Sequence, residues 1–213
     1  MLIEKGITMG EALNLKRIRI AVIAVIAAVA LGCSLSFGAQ SAFAVGTTVD
    51  AGSGATAAKY TVTRLDPNEF DYTKTKVTGK NKTIKAAKTI KYGGKTYKVT
   101  SIAKNACKDS KAKKIVVCDN VKIIGRGAFR DMPYLKSLTI GKGVTKLGKY
   151  MVKNSKKLTT VTIKSKKLTK ANVKGCFKGS KVKTVKVPKS KVKAYNKIFT
   201  KKNCGRSVTV KAI

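Results

Sequence analysis

Residues Ile124 to Ile140 read IGRGAFRDMPYLKSLTI, and the placing of the apolar residues in this stretch recurs along the chain. It ends in the pair Leu138 and Ile140 with one polar residue between them, as the inward face of a short strand does. Equivalent pairs are Ile115 and Val117 before it, then Val161 and Ile163, and Val185 and Val187, with first members 23, 23 and 24 residues apart. Three residues ahead of each pair stands a further apolar residue: Ala112, Leu135, Leu158 and Val182. Another column, Val99, Val121, Val144 and Leu168, is followed three residues later by Ile102, Ile124, Leu147 and Ala171. Columns that share one period describe a single supersecondary unit repeated along the chain.

No unit holds enough apolar residues to close a core of its own, so stacking must supply the missing neighbour. Alternation along each strand then turns one set of side chains outward. That set is Lys114, Val116, Cys118; Ser137, Thr139, Gly141; Thr160, Thr162, Lys164; and Thr184, Lys186, Pro188. The face is small, hydroxylated and cationic, and its candidate contact residues are Lys114, Thr139, Thr160, Thr162, Lys164, Thr184 and Lys186.

The segment from Gly93 to Ile102, followed by Ile124-Gly125-Arg126-Gly127-Ala128-Phe129 and Leu135-Lys136-Ser137-Leu138-Thr139-Ile140, resembles the BspA-like leucine-rich repeats of bacterial surface proteins. Their pattern is I-G-x-x-A-F followed by L-x-x-I-x-I-P. The resemblance spans roughly residues 90 to 192, with the second unit matching most closely. The phenylalanine slot holds Cys107, Phe129, Val152 and Phe177, and the proline after the strand survives only as Pro188. The resemblance implies secreted or cell-surface proteins that work by adhesion and protein binding, with no catalytic residues to carry over. The expected fold is a leucine-rich-repeat right-handed solenoid of the α/β superhelix type, β-rich, with a short parallel β-ladder of about four repeats over residues 99–192.

The flanks read as caps. Residues 59–98 form an N-terminal β cap: Tyr60 and Val62 alternate with polar residues before a turn at Asp66-Pro67-Asn68, and Gly93-Gly94 closes a hairpin. Residues 193–213 form a helix-strand cap, in which a helix opened at Pro188 ends near Asn203-Cys204-Gly205 and Ser207 to Ile213 is a last strand. Residues 45–58 are small and without periodicity, a flexible linker. Residues 1–44 read as an export signal: Lys16, Arg17 and Arg19, the run IRIAVIAVIAAVAL from Ile18 to Leu31, and Ala42-Phe43-Ala44 before a cleavage point. An uncleaved anchor would prefer about 20 apolar residues, and a lipoprotein reading through Cys33 suffers because Leu31 stands one place too late.

Charge and missing residue types narrow the function. Of 47 basic and 9 acidic residues, four and two precede Val45, leaving 43 and 7 and a net charge of +36. Such a field attracts polyanions and opposes self-association, so a monomer is expected. The chain has no histidine, which excludes imidazole-dependent triads and the commonest zinc ligand. Asp109, Asp119 and Asp131 stand at unrelated repeat phases, which argues against a paired-carboxylate site. Asp66, Glu69 and Asp71 read as a solvated turn rather than a cation site, so no enzyme, metal, cofactor or small-molecule substrate is expected.

Beyond the export segment four cysteines remain: Cys107, Cys118, Cys176 and Cys204. Cys107 and Cys176 lie three layers apart, about 14 Å at the usual strand spacing, beyond the reach of a disulfide. If bridges form, they join Cys107 to Cys118 and Cys176 to Cys204; the competing reading is that Cys107 and Cys176 fill core space. Export directs the cationic field toward teichoic-acid-like wall polymers, host glycosaminoglycans or acidic extracellular proteins. Single-stranded nucleic acid would want aromatic platforms that the outward positions lack. The leading expectation is an extracellular binding module, and its rivals are a non-specific structural component of the envelope and a nucleic-acid binder.

Overall fold

The column Ile115, Leu138, Val161 and Val185 becomes one side of a stacked coil, because parallel strands one residue out of register would turn every apolar side chain to solvent. In the computed structural model, which describes residues 48–51, 58–65, 68–74, 83–92 and 95–213, these residues face one another across adjacent strands: Ile115 opposite Leu138, Leu138 opposite Val161, and Val161 opposite Val185. The expectations for the export segment, most of the 45–58 linker, and the turn residues Asp66-Pro67 and Gly93-Gly94 lie outside the described residues.

Thirteen strands are present among the described residues: β1 (Thr48–Ala51), β2 (Ala58–Leu65), β3 (Asn68–Lys74), β4 (Thr83–Lys85), β5 (Thr89–Tyr92), β6 (Lys95–Ile102), β7 (Lys114–Val116), β8 (Ile123–Ile124), β9 (Ser137–Ile140), β10 (Lys146–Leu147), β11 (Thr160–Ile163), β12 (Thr184–Val187) and β13 (Thr209–Ala212). The main ladder runs β4-β7-β9-β11-β12-β13, parallel throughout. It has six strands, where about four repeats were expected. The two extra ones come from the segments read as caps. Ile84 of β4 pairs with Ile115 although 31 residues separate them, and Val210 of β13 pairs with Val185. Each is separated from its neighbour by an inserted element, the β5–β6 hairpin or a helix pair, so neither keeps the 23-residue period.

A second sheet takes the Val99 and Ile102 columns. Its order is β1-β2-β3-β6-β8-β10, with β5 paired antiparallel to β6. Strands β6, β8 and β10 are parallel and stack Ile102, Ile124 and Leu147 in register. The fourth member fails: Ala171 is exposed at the head of a 3-10 turn, Ala171–Val173, and Val173 fills the interior. Val173 stands 26 residues after Leu147, two more than the 24 that led to Ala171. Strand β2 is the one that the N-terminal alternation suggested, and it pairs antiparallel with β3. Thr48–Ala51, inside the stretch read as a linker, is strand β1 and pairs with β2; its β-favouring Thr48 and Val49 are too short a run to show periodicity.

Turns close the third side of each coil and hydrogen-bond from coil to coil. Cys107 N donates to Ala128 O at 2.8 Å, Phe129 N to Met151 O at 2.9 Å, and Phe177 N to Cys204 O at 2.9 Å. Within this frame the predicted columns are dry: Leu135, Leu158, Val182, Leu138, Val161, Val185, Ile140, Ile163 and Val187 are all buried, as are the slot residues Cys107, Phe129, Val152 and Phe177. The last full coil is closed by two short helices, α1 (Val192–Ile198) and α2 (Lys201–Cys204), the second ended by Gly205 in the left-handed conformation at φ 83°. Phe199 stacks on Phe177 with ring centroids 5.8 Å apart, which seals that end of the core.

Candidate functional site

The ladder face places the seven candidate residues together. Thr139 pairs with Thr162, Thr160 with Thr184, Thr162 with Lys186, and Lys114 stands beside Ser137. Thr139, Thr160, Thr162 and Thr184 are half-buried, and Lys114, Lys164 and Lys186 are exposed. A row of β-branched hydroxyl residues is what a parallel ladder tolerates on a solvated side, since the branch packs against its neighbour while the hydroxyl stays wet.

Toward the carboxyl ends of these strands the face deepens into a groove of about 600 Å³. One wall runs from the end of β4 through the connecting residues into β5 and contributes Lys85, Lys88 and Lys91; the floor is Val116, Cys118, Thr139 and Gly141, and Lys164 closes the far side. The wall is held by the Cys118 thiol, which donates to Ala87 O at 3.1 Å, and by Asn120 Nδ2, which donates to Lys88 O at 2.9 Å. The groove's single acid, Asp119, is engaged, its Oδ1 accepting from Lys142 N at 2.8 Å. Of the seven candidates only Thr139 and Lys164 line this groove. The three wall lysines were hidden in the sequence because residues 59–98 read as a cap, and the one signal that would have found them was the Thr83-Ile84-Lys85 strand.

Gly141 and Gly143 let the loop beyond β9 lie directly on the previous coil. A Cβ at Gly143 would stand 2.0 Å from Asp119 O and one at Gly141 2.4 Å from Cys118 O, so no larger residue fits there without moving backbone.

Neither of the two conditional pairings, Cys107 with Cys118 or Cys176 with Cys204, is formed. Cys118, Cys176 and Cys204 carry free thiols, and all four cysteines are buried. Burial holds the Cys118 and Cys204 thiols above their ordinary range. It raises Cys176 well above it, with neighbouring Cys204 adding to the effect. A raised thiol pKa means a scarce thiolate and a poor nucleophile at neutral pH. At pH 8, iodoacetamide is expected to label Cys118, Cys176 and Cys204 on the order of 100-fold more slowly in the native protein than in the urea-unfolded chain. Peptide mapping of the labelled sites checks this, and equal rates would contradict the burial. Among the described residues no group of three or more metal-ligating side chains occurs, and no helix is long and apolar enough to cross a membrane.

Six parallel strands, a second ladder and hydrogen-bonded turns define a leucine-rich-repeat solenoid. A model of the BspA type leucine rich repeat region matches residues 98–212 in six copies, and the chain belongs to that family. Among solved structures, it is similar to a leucine-rich repeat protein from Bacteroides capillosus, at 16% identity and TM-score 0.46 over 78% of this chain and 98% of that one. It is also similar to the pneumococcal vaccine antigen PcpA, at 15% identity and TM-score 0.42 over 68% of this chain and 42% of that one. A leucine rich cell surface protein from Faecalibacterium prausnitzii gives 16% and 0.32, with 79% and 56% covered. The chain thus spans about half the length of the latter two. No curated protein matches.

Proposed function

We propose that the chain is a secreted or cell-surface binding module that takes up anionic polymers, teichoic-acid-like or glycosaminoglycan, or acidic segments of extracellular proteins, along its ladder face. It catalyses no reaction. The observation that carries this reading is the groove in which Lys85, Lys88, Lys91 and Lys164 surround a floor of small ladder residues. Four cations with one engaged carboxylate form a site that an anionic chain neutralises, and Thr139, Thr160 and Thr162 continue it as a hydroxyl-bearing track. Export is supported by the signal-like sequence pattern of residues 1–44 and by the family, whose members are typically surface or secreted proteins. The absence of histidine and the protonated state of the buried thiols support a role without chemistry.

The groove is lined by no aromatic side chain, which disfavours stacking of single-stranded bases. Double-stranded backbone would need lysines alone, so duplex DNA belongs in the test as a competitor. Reversing Lys88 and Lys164 to glutamate is expected to weaken binding of a heparin fragment or a poly(glycerol phosphate) about tenfold or more, because each reversal replaces an attraction by a repulsion. Reversing Lys146 and Lys193, exposed on other faces, should change it less than twofold. Equal losses from both pairs would mean that only net charge matters, which is the behaviour of a non-specific envelope component.

A further inference from the structure

We propose a second anion site on the turn face, a basin over Gly127 that receives one tetrahedral oxyanion, a phosphate or sulfate group borne by a polymer. The basin has a volume of about 430 Å³ and is lined by Lys104, Arg126, Arg130 and Lys153, with Tyr150 as one wall and Asn105 opposite. It shares no residue with the ladder groove. It rests on the polyanion reading for the source of its ligand and on a different face for its geometry.

The hollow exists because of one column of left-handed residues. Asn105, Gly127, Tyr150 and Gly175 occupy successive turns with φ of 58°, 62°, 60° and 65°. Gly127 has no side chain to fill the space between its neighbours: a Cβ there would stand 2.7 Å from Asn105 Oδ1 and 2.9 Å from Arg130 Cδ. Tyr150 holds a conformation that a bulky residue seldom adopts, and its amide donates to Gly175 O at 2.9 Å.

Its ring gathers cations. Arg126 Cζ lies 5.2 Å from the ring centroid, Lys149 Nζ 5.1 Å and Lys153 Nζ 5.7 Å, each within reach of a cation–π contact. Two glycines of the next coil seat the lysine stems: a Cβ at Gly179 would come 2.9 Å from Lys153 Cγ, and one at Gly175 3.1 Å from Lys149 Cγ. Like charges held this close repel one another until an anion joins them. The facing acid is Asp131, whose Oδ2 lies 3.6 Å from Arg130 Nε and whose Oδ1 accepts from Asn154 Nδ2 at 2.9 Å. That ion pair is too long for a hydrogen bond, and Arg130 Nε has no hydrogen-bond partner, so this buried nitrogen lacks an acceptor. The other acid of the turn face, Asp109, pairs with Lys108 at 3.3 Å and does not line the basin. Lys104, Arg126 and Lys153 are left for a ligand.

The test is a titration of the ¹⁵N-labelled full chain with sodium phosphate, sodium sulfate and sodium chloride at matched ionic strength. Saturable shifts of the Gly127, Arg130 and Tyr150 amides with phosphate or sulfate, and none with chloride, are the expected result. A stronger response to phosphate points to a phosphodiester polymer, and a stronger response to sulfate to a sulfated glycan. The pair Arg126→Gln and Lys153→Gln should weaken that binding at least tenfold, whereas Lys88→Gln with Lys164→Gln in the ladder groove should leave it unchanged. Shifts spread evenly over the surface, the same response to chloride, or loss in the groove pair alone would overturn the site without touching the ladder reading, which is judged on polymer binding. If the basin pair fails to fold, Arg126→Lys keeps the charge and removes the planar fork: binding at least threefold weaker supports the site, and unchanged binding overturns it.

Discussion

Truncating Phe129 to alanine is expected to lower the unfolding free energy by about 3–5 kcal/mol, the largest effect of any single side-chain truncation in the middle coils. The ring is buried in the slot that the motif reserves for phenylalanine, between Cys107 of the coil before and Val152 of the coil after. Neither neighbour is large, so neither can lean in to fill the space, and the cavity persists. The turn's backbone stays tied, since Phe129 N donates to Met151 O and Phe129 O accepts from Ser155 Oγ at 2.8 Å, so it cannot readily collapse into the space the ring leaves. Urea melts followed by circular dichroism measure the change in midpoint at constant slope. Val152→Ala, in the same slot one coil on, should cost clearly less because fewer contacts vanish. A shift below about 1 kcal/mol for Phe129→Ala would show that the slot is not packed as described.

Raising salt from about 0.05 M to about 0.5 M is expected to weaken polyanion binding on the order of 10³-fold, if about four lysines release counter-ions from a densely charged polymer. The chain beyond residue 44 carries 43 basic residues against 7 acidic ones. The groove lysines are mostly exposed, so their attraction is screened once the Debye length shrinks from about 10 Å at 0.1 M to about 3 Å at 1 M. Washing cells with about 1 M salt should therefore release the protein. Retention through that wash would rule out electrostatic attachment, and a flat affinity across the salt series would do the same for the groove.

Much of the core is legible in the amino-acid sequence. Leu138, Val161 and Val185 fall in register because a fixed period of apolar pairs has only one stacking that keeps all of them dry. The ends are not legible in this way, because periodicity reports only on units that keep the period. Ile84 and Val210 belong to the same ladder as Ile115 and Val185, but the β5–β6 hairpin and the α1–α2 pair intervene and disguise the spacing. Ala171 misleads for a related reason: a local insertion moves Val173 into its place.

The candidate sites are legible only in part. Alternation identifies which ladder side chains point outward, hence Thr139, Thr160, Thr162 and Lys164. It says nothing of which distant segment forms a wall, so Lys85, Lys88 and Lys91 escape it. The basin over Gly127 depends on side chains from three successive coils meeting across a glycine. The string Ile124-Gly125-Arg126-Gly127 shows the glycine but not the tyrosine, 23 residues later, that stands beside it. The cysteines show the opposite limit. Spacing excludes a Cys107–Cys176 bridge, but only the packing explains why Cys118 turns to Ala87 O.

The coil-to-coil backbone hydrogen bonds on the turn side recur from layer to layer and make each layer a near-copy of the next. Length in such a molecule is quantised. Removing or duplicating one 23-residue segment moves what lies on either side by a single layer, about 4.8 Å, while leaving each layer's interior intact. A lineage could thereby retune the separation between the lysines of its first and last layers in equal steps, as a vernier is advanced notch by notch, to suit polymers whose charges repeat at different intervals.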